Sequence, residues 1–255
     1  MELNGQVAIV TGSSSEIGAA IARGLAGQGA RLVLVGRHAN ALRPLATELD
    51  GVAVGCDVTQ GEQVARMVAE VRRTFADRID ILVNAVGGTG GLGKPVWELT
   101  EADFQHVLSL NLTASFLTIA AVLPMMIARR QGRIINIGGT FGMRGRAGRA
   151  AYSAAKWGLR GLTKSAALEA GPFNITVNCV SPGMVEGPRF DEAAADAAAC
   201  GGISIDDAKE RMAGAYALRR ISTPDDVARA VLFLAGEGGR QMTGQDLVVD
   251  GGWAI

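Results

Sequence analysis

Residues 6–26 read QVAIVTGSSSEIGAAIARGLA, and the order of residue types within them decides the fold. A short apolar run, rich in β-branched residues, reads as a strand over 6–12. It passes straight into a glycine-punctuated turn and then a helix. Gly12 permits a sharp turn, and Gly18 lets the helix pack close to the strand. The free N–H groups at the helix start, together with the helix dipole, favour an anionic phosphate group. A glycine pattern alone is weak evidence, but a strand before it and a helix after it are the context it requires.

The same alternation continues outward from this unit. QVAIVTG (6–12), RLVLVG (31–36), GVAVGCDV (51–58), IDILVNAVG (79–87), GRIINIGG (132–139), NITVNCVSPG (174–183) and DLVVDGG (246–252) all read as strands. They are nearly continuously apolar, which suits a parallel sheet buried on both faces. Helical patterns lie between them. Over 60–76, Val64, Met67, Val68 and Val71 recur at spacings of three and four. At Thr223-Pro-Asp-Asp a capping hydroxyl, a first-turn proline and first-turn carboxylates mark a helix start. The expected fold is therefore α/β: a doubly wound parallel sheet of the Rossmann type, about seven strands with helices on both faces. No linker, repeat or composition break divides residues 1–255, so one domain is expected. Residues 184–215 are the exception in spacing. They form an Ala-rich connection far longer than the usual ~2–6 residues, which reads as a substrate loop or lid.

Composition narrows the partners. The 25 basic and 25 acidic residues balance, which argues against nucleic acid or an anionic membrane surface as a partner. Cys56, Cys179 and Cys200 are widely spaced and odd in number, so neither a disulfide framework nor a metal site is expected. That usage fits a reducing, cytoplasmic setting. The N-terminal segment shows no signal-peptide pattern, and no apolar stretch reads as a membrane span.

Six further landmarks occur in order: TGSSSEIG (11–18), CDVT (56–59), NAVG (84–87), Asn111 in LNLT, Tyr152-Ser-Ala-Ala-Lys156, and SPG (181–183) followed by DGG (250–252). Together they resemble the short-chain dehydrogenase/reductase family, in its 3-oxoacyl reductase-like branch, over the whole chain. The resemblance implies hydride transfer between a nicotinamide cofactor and a carbonyl or secondary alcohol. It implies that Gly12, Ser14, Ser15, Ile17 and Gly18 cradle the cofactor's phosphates, and that Asp57 and Val58 meet the adenine. Asn84, Pro182, Gly183 and Val185 would line the rest of the cofactor site. Tyr152 would be the acid–base, Lys156 would hold the nicotinamide ribose, and Asn111 would anchor a proton-relaying water. The helical patterns near 112–127 and 153–168 resemble faces through which the family forms homodimers and homotetramers.

Departures from the pattern matter as much. Glu16 stands where the family has its middle glycine, and Ala85 where it has a second Asn. Gly139, thirteen residues before Tyr152, occupies the place of the catalytic serine, and Gly187 that of a threonine. These departures motivate a second reading, a degenerate member that binds the dinucleotide as a sensor or scaffold. Thr140, the next hydroxyl in NIGGTFG, is a candidate to replace the serine if the strand bends at Gly138-Gly139.

The cofactor choice rests on the end of the second strand. An acidic residue there would accept from a ribose 2′-OH. This chain has Gly36 and then Arg37, whose guanidinium suits a 2′-phosphate, so NADP(H) is expected over NAD(H). Glu16 works against this by weakening affinity or blurring the choice. A lysine near Tyr152 should lower the phenol's pKa. Arg144, Arg146 and Arg149 just before Tyr152, and Arg189 in the long connection, point to an anionic substrate if they face the pocket. Solvated rim positions or subunit contacts explain them equally well. GGTGGLG (87–93) is expected to form a pocket wall.

Overall fold

The computed structural model describes residues 1–88 and 93–255. Seven parallel strands form one sheet in the order β3-β2-β1-β4-β5-β6-β7. They are β1 Val7–Thr11, β2 Arg31–Gly36, β3 Val52–Gly55, β4 Ile81–Asn84, β5 Gly132–Ile137, β6 Ile175–Pro182 and β7 Asp246–Val249. All seven expected strands are present. Several end earlier than the apolar runs suggest, because the chain must leave the sheet at its carboxyl edge to build the site. The order reverses between β1 and β4, which makes a crevice above the carboxyl ends of those two strands.

Each face of the sheet is covered. On one face lie α1 (Glu16–Gly27), α2 (Ala39–Glu48) and α9 (Pro224–Ala235); Ile21, Leu25, Leu42, Val227 and Val231 pack there with Val10 and Leu34. On the other lie α3 (Gly61–Thr74), α5 (Ala114–Arg129) and α6 (Ala150–Ala170), with Val64, Met67, Ile119, Val122 and Ala166 against Ile9, Leu82 and Val177. Apolar strand residues alternate between the two clusters, as Val7 and Ile9 do with Ala8 and Val10 in β1, which is why the strands read as nearly continuous apolar runs. Each fully buried Val, Leu or Ile contributes roughly 1.5–3 kcal/mol.

Local signals fix the helix starts. Ser15 caps α1 by accepting from Gly18 N–H at 3.1 Å. Thr223 and Asp226 form a reciprocal capping box before α9, with Asp226 N–H to Thr223 Oγ1 at 3.2 Å and Thr223 N–H to Asp226 at 2.8 Å. Such a cap is worth about 1 kcal/mol.

One expectation changes, and one segment gains detail. Helix α4 (Glu101–Leu108) runs through a π-helical turn at Ser109–Thr113 into α5, one continuous helix of 29 residues that is long and apolar enough to span a membrane. His106, Ser109, Asn111 and Thr113 interrupt its apolar pattern in the sequence and hide that length. Its apolar face packs on the sheet: Val122 and Met126 belong to the core cluster. The connection 184–215 is not a structureless loop. It holds α7 (Pro188–Gly201) and α8 (Ile205–Gly214), joined by a Lys209–Asp191 ion pair at 2.6 Å. Phe190, Tyr216 and Ile221 form a small apolar cluster beneath it, with Met184, Met212 and Trp253.

Candidate active site

The turn from β1 into α1 is built by close backbone contact. Gly12 has φ +69°, and a Cβ there would stand 2.8 Å from the Ala85 carbonyl oxygen. That contact presses the turn against the loop after β4, which Thr11 Oγ1 also holds by accepting from Ala85 N–H at 3.2 Å. Gly18 lies so close to the Gly12 carbonyl that any side chain would collide. Ser13 and Ser15 spend their hydroxyls internally, on Val10 O at 2.6 Å and Gly12 O at 2.8 Å. Ser14 is exposed, and Glu16 and Ile17 present first-turn N–H groups. This cradle fits a dinucleotide pyrophosphate: backbone donors, a helix dipole and no side chain filling the turn. The Glu16 side chain is turned toward the start of α7, with its Cδ 3.5 Å from where a Cβ of Gly187 would lie. Two departures from the family pattern therefore lie near each other.

At the adenosine end, Arg37 is exposed just past β2, and no ion pair ties it down among the described residues. Asp57 Oδ1 accepts from Thr59 N–H at 3.0 Å and Thr59 Oγ1 at 2.7 Å, which fixes the turn after β3, and Val58 is buried beside it. Asn84 is held from both sides. Its amide donates to Asn136 Oδ1 at 2.9 Å and its oxygen accepts from Thr118 at 2.7 Å, so its side chain is committed inside the sheet. Pro182 ends β6, Gly183 N–H donates to Val249 O at 3.1 Å, and Val185 bridges Ser222, so this stretch lines the same carboxyl edge.

Three expected catalytic residues converge. Asn111 sits in the π-helical turn, whose extra residue lets its Nδ2 donate to Val107 O at 2.9 Å and to Gly88 O at 2.7 Å. Gly88 N–H returns a bond to Asn111 Oδ1 at 3.2 Å. Lys156, buried, donates to Ile137 O at 2.9 Å. A Cβ on Gly87 would lie 3.0 Å from Asn111 Oδ1 and 3.5 Å from Lys156 Nζ, so both groups border one point. The Lys156 Nζ is 5.6 Å from the Tyr152 ring centre.

The electrostatics differ from the sequence expectation. Burial pushes the Tyr152 phenol up, opposed by Arg189 and Arg149 rather than by Lys156. Burial also pulls Lys156 down to about 8. Desolvation outweighs the attraction that the sequence spacing suggested.

Position 139 rather than 140 faces the phenol. A Cβ on Gly139 would stand 3.2 Å from Tyr152 Oη. Thr140 is buried and opens the short 3-10 turn Thr140–Gly142, and no hydrogen bond joins it to Tyr152 among the described residues. The bend expected at Gly138-Gly139 does occur, with β5 ending at Ile137, but it carries Thr140 into the turn.

An aromatic wall was not legible beforehand. Phe141 meets Tyr152 edge-on at 6.3 Å and Trp253 at 5.3 Å, and Trp253 lies 6.3 Å from Tyr216. The sequence signal was slight: one Phe after GGT and one Trp after DGG. Arg144 lies 4.8 Å over the Trp253 ring and Arg146 5.4 Å over Phe141. Arg189 Nη2 donates to Gly87 O at 2.9 Å, which brings the long connection to the catalytic group. In the expected wall 87–93, residues 89–92 lie outside the described residues. His38 and His106 take no part. No cluster of metal-ligating side chains occurs among the described residues.

A family model described as enoyl-(acyl carrier protein) reductase matches residues 12–254. The D-beta-hydroxybutyrate dehydrogenase of Rhizobium meliloti (strain 1021) is 36% identical, over 97% of this chain and 98% of its own. A solved NAD+-bound xylitol dehydrogenase is 33% identical with a TM-score of 0.91, covering 99% of this chain and 100% of its own. An actinorhodin polyketide ketoreductase solved with NADPH is 35% identical with a TM-score of 0.91, covering 98% and 97%.

Proposed function

For a chain that belongs to the short-chain dehydrogenase/reductase family, in its 3-oxoacyl reductase-like branch, we propose an NADP(H)-preferring oxidoreductase in which Tyr152 is the acid–base. The observation that carries this reading is the convergence of Asn111, Tyr152 and Lys156 beside the phosphate cradle. The nicotinamide, when bound, gives or takes the hydride. Tyr152 Oη gives its proton to the carbonyl oxygen in reduction and takes one from the alcohol in oxidation. The raised phenol pKa keeps that proton in place at neutral pH. Lys156 would hold the nicotinamide ribose, and the Asn111–Gly88 clamp fixes the loop after β4.

Polarisation by a serine hydroxyl is absent, since Gly139 has no donor. Removing one such donor costs about 10²–10³ in rate in other enzymes, which slows turnover without abolishing it. The solved relatives carry either dinucleotide, so the preference for NADP(H) rests on Arg37. Residues 184–215 act as the substrate loop of a single catalytic domain, with Arg189 as their link to Gly87. The exposed Phe116, Trp157 and Leu168 on α5 and α6 support assembly into a homodimer or homotetramer. The unpaired Cys56, Cys179 and Cys200 support a cytoplasmic setting. The sensor reading has nothing further in its favour, because the catalytic trio is intact.

A panel of ketones, aldehydes and secondary alcohols, followed by absorbance of NADPH and NADH, tests the proposal. Turnover with some member, faster with NADPH, is the expected result. No turnover despite dinucleotide binding would revive the sensor reading.

A further inference from the structure

We propose that Arg160 is a positioning residue for the reaction: it fastens the turn after β5 to the helix that carries Tyr152 and Lys156, and so holds the wall of the site against the phenol. This rests on the hydride-transfer reading above and adds a residue to it. Tyr152, Lys156 and Arg160 follow one another at steps of four in α6, so they share one ridge of the helix. The 3-10 turn Thr140–Gly142 lies along that ridge. A Cβ on Gly142 would stand 3.0 Å from the Lys156 carbonyl oxygen, so the missing side chain lets the turn lie close against the helix.

The turn's own backbone bonds leave two carbonyls over. Gly142 N–H donates to Gly139 O at 2.8 Å and Met143 N–H to Thr140 O at 2.9 Å. The carbonyls of Phe141 and Gly142 receive no backbone bond among the described residues. Both are taken by α6 side chains. Trp157 Nε1–H donates to Phe141 O at 3.1 Å, and Arg160 Nη1–H to Gly142 O at 2.7 Å. A bond from a charged donor is roughly twice as strong as one from a neutral donor, which makes Arg160 the stronger fastening. The guanidinium is itself anchored at the start of β7. Its Nε lies 3.0 Å from Asp246 Oδ2, and Lys164 Nζ lies 3.1 Å from the same oxygen. The Arg160–Asp246 contact is a charge pair without a hydrogen bond from Nε, so the directed bond of the guanidinium is the one to the turn.

What the turn carries is the surroundings of the reacting phenol. Position 139 faces the Tyr152 oxygen, and the Phe141 ring meets the phenol edge-on at 6.3 Å. Trp253 closes against Phe141 at 5.3 Å. Thr140 makes no hydrogen bond to Tyr152 among the described residues, so packing sets the placement of this wall. Gly138 and Gly139 before the turn give the backbone freedom to pivot. Fastening to α6 removes that freedom, and the wall and the acid–base move as one body. Misplacement by about 1 Å at a reacting centre can cost about a hundredfold in rate.

Four variants test this. Arg160→Met keeps the stem and removes the donor and the charge. Arg160→Lys keeps a charged donor, and Trp157→Phe removes the other donor while keeping a ring. Lys164→Met loosens the same junction of α6 with β7 without touching the turn. With the best carbonyl substrate of the panel, Arg160→Met should lower kcat about ten- to hundredfold and leave NADPH affinity within about twofold of wild type. Arg160→Lys should recover part of the loss, Trp157→Phe should show a smaller loss, and Lys164→Met should keep kcat. A second readout needs no turnover. Tyr152 and Tyr216 are the chain's two tyrosines, so the ultraviolet absorbance of phenolate in each protein, less that of its Tyr152→Phe counterpart, follows Tyr152 alone. Burial holds this phenol above its usual range. Arg160→Met should let water in beside it, so that Tyr152 ionises at lower pH than in wild type. An unchanged Tyr152 titration in Arg160→Met overturns the inference. So does a fall in kcat that Lys164→Met reproduces, since the loss then belongs to the junction and not to the turn. If wild type turns over no carbonyl compound, the hydride-transfer reading falls, and the phenol titration by itself upholds or overturns the fastening.

Discussion

Gly139 faces the Tyr152 phenol so closely that a single added carbon would stand 3.2 Å from its oxygen. Its backbone, at φ +159° and ψ 149°, lies where side-chain-bearing residues are strained. Replacement should therefore lower stability by about 1–3 kcal/mol. Gly139→Ala adds only the crowding carbon, while Gly139→Ser adds a donor as well. Both should melt earlier than wild type, and kcat for the serine variant should exceed that of the alanine variant. Equal rates in the two variants would show that a hydroxyl at this place cannot reach the reacting oxygen.

Tyr152→Phe keeps the ring and its edge contact with Phe141 but removes the proton carrier. Activity should fall by about 10²–10⁴, with the melting temperature preserved. Retained turnover would mean that water or another group carries the proton. Lys156→Ala should raise the cofactor KM as well as lower kcat, because it loses a ribose contact.

The buried lysine also predicts how stability follows pH. Lys156 titrates at about 8 in the folded chain, below its ordinary 10.5. Between those values the unfolded chain holds a proton that the folded chain has released. Stability from this group therefore rises with pH across the window and is lost as pH falls through about 8. Urea midpoints of wild type should rise relative to those of Lys156→Met between pH 8 and 10. A constant difference between the two proteins would place the lysine in a well-solvated site.

The seven strands and the start of α9 were legible because they follow from local signals: apolar runs, and Thr223 with the proline and carboxylates after it. The long-range pairings of the site were not. Nothing local marks Glu16 and Gly187 as neighbours, or Trp253 as part of a wall with Phe141. The pKa of Tyr152 was misjudged for a related reason. Four-residue spacing gives proximity to Lys156, but burial, a property of the whole fold, decides the sign. Thr140 makes no hydrogen bond to Tyr152 among the described residues; strand alternation ends at Ile137, where a turn takes over.

Arg37 is exposed just past the end of β2, with no ion pair among the described residues. Arg37→Ala should weaken NADPH binding about tenfold or more and NADH binding by much less, since a charge-assisted bond is worth roughly 1.5–3 kcal/mol. Titrations of both dinucleotides against both proteins measure this. Equal losses would remove Arg37 as the phosphate reader.

Glu16 offers the sharpest separation of affinity from stability. Its carboxylate sits in the first turn of α1, where the helix dipole favours a negative charge. The same dipole favours the cofactor's pyrophosphate, so the two anions compete for one field. Glu16→Gln keeps the shape and the contact with Gly187 while removing the charge. Melting should drop slightly, because a favourable dipole contact is lost. Dinucleotide affinity should rise by about two- to fivefold, a small gain because the side chain is exposed and screened. Added salt should shrink that gain, and Glu16→Gly should show it too, with a larger loss of stability from glycine in the helix. The measurement is a fluorescence titration with NADPH at low and high salt beside a melting curve. Weaker binding in Glu16→Gln would show instead that the carboxylate makes a favourable contact with the cofactor, and that its turn toward Gly187 holds it in place for that purpose.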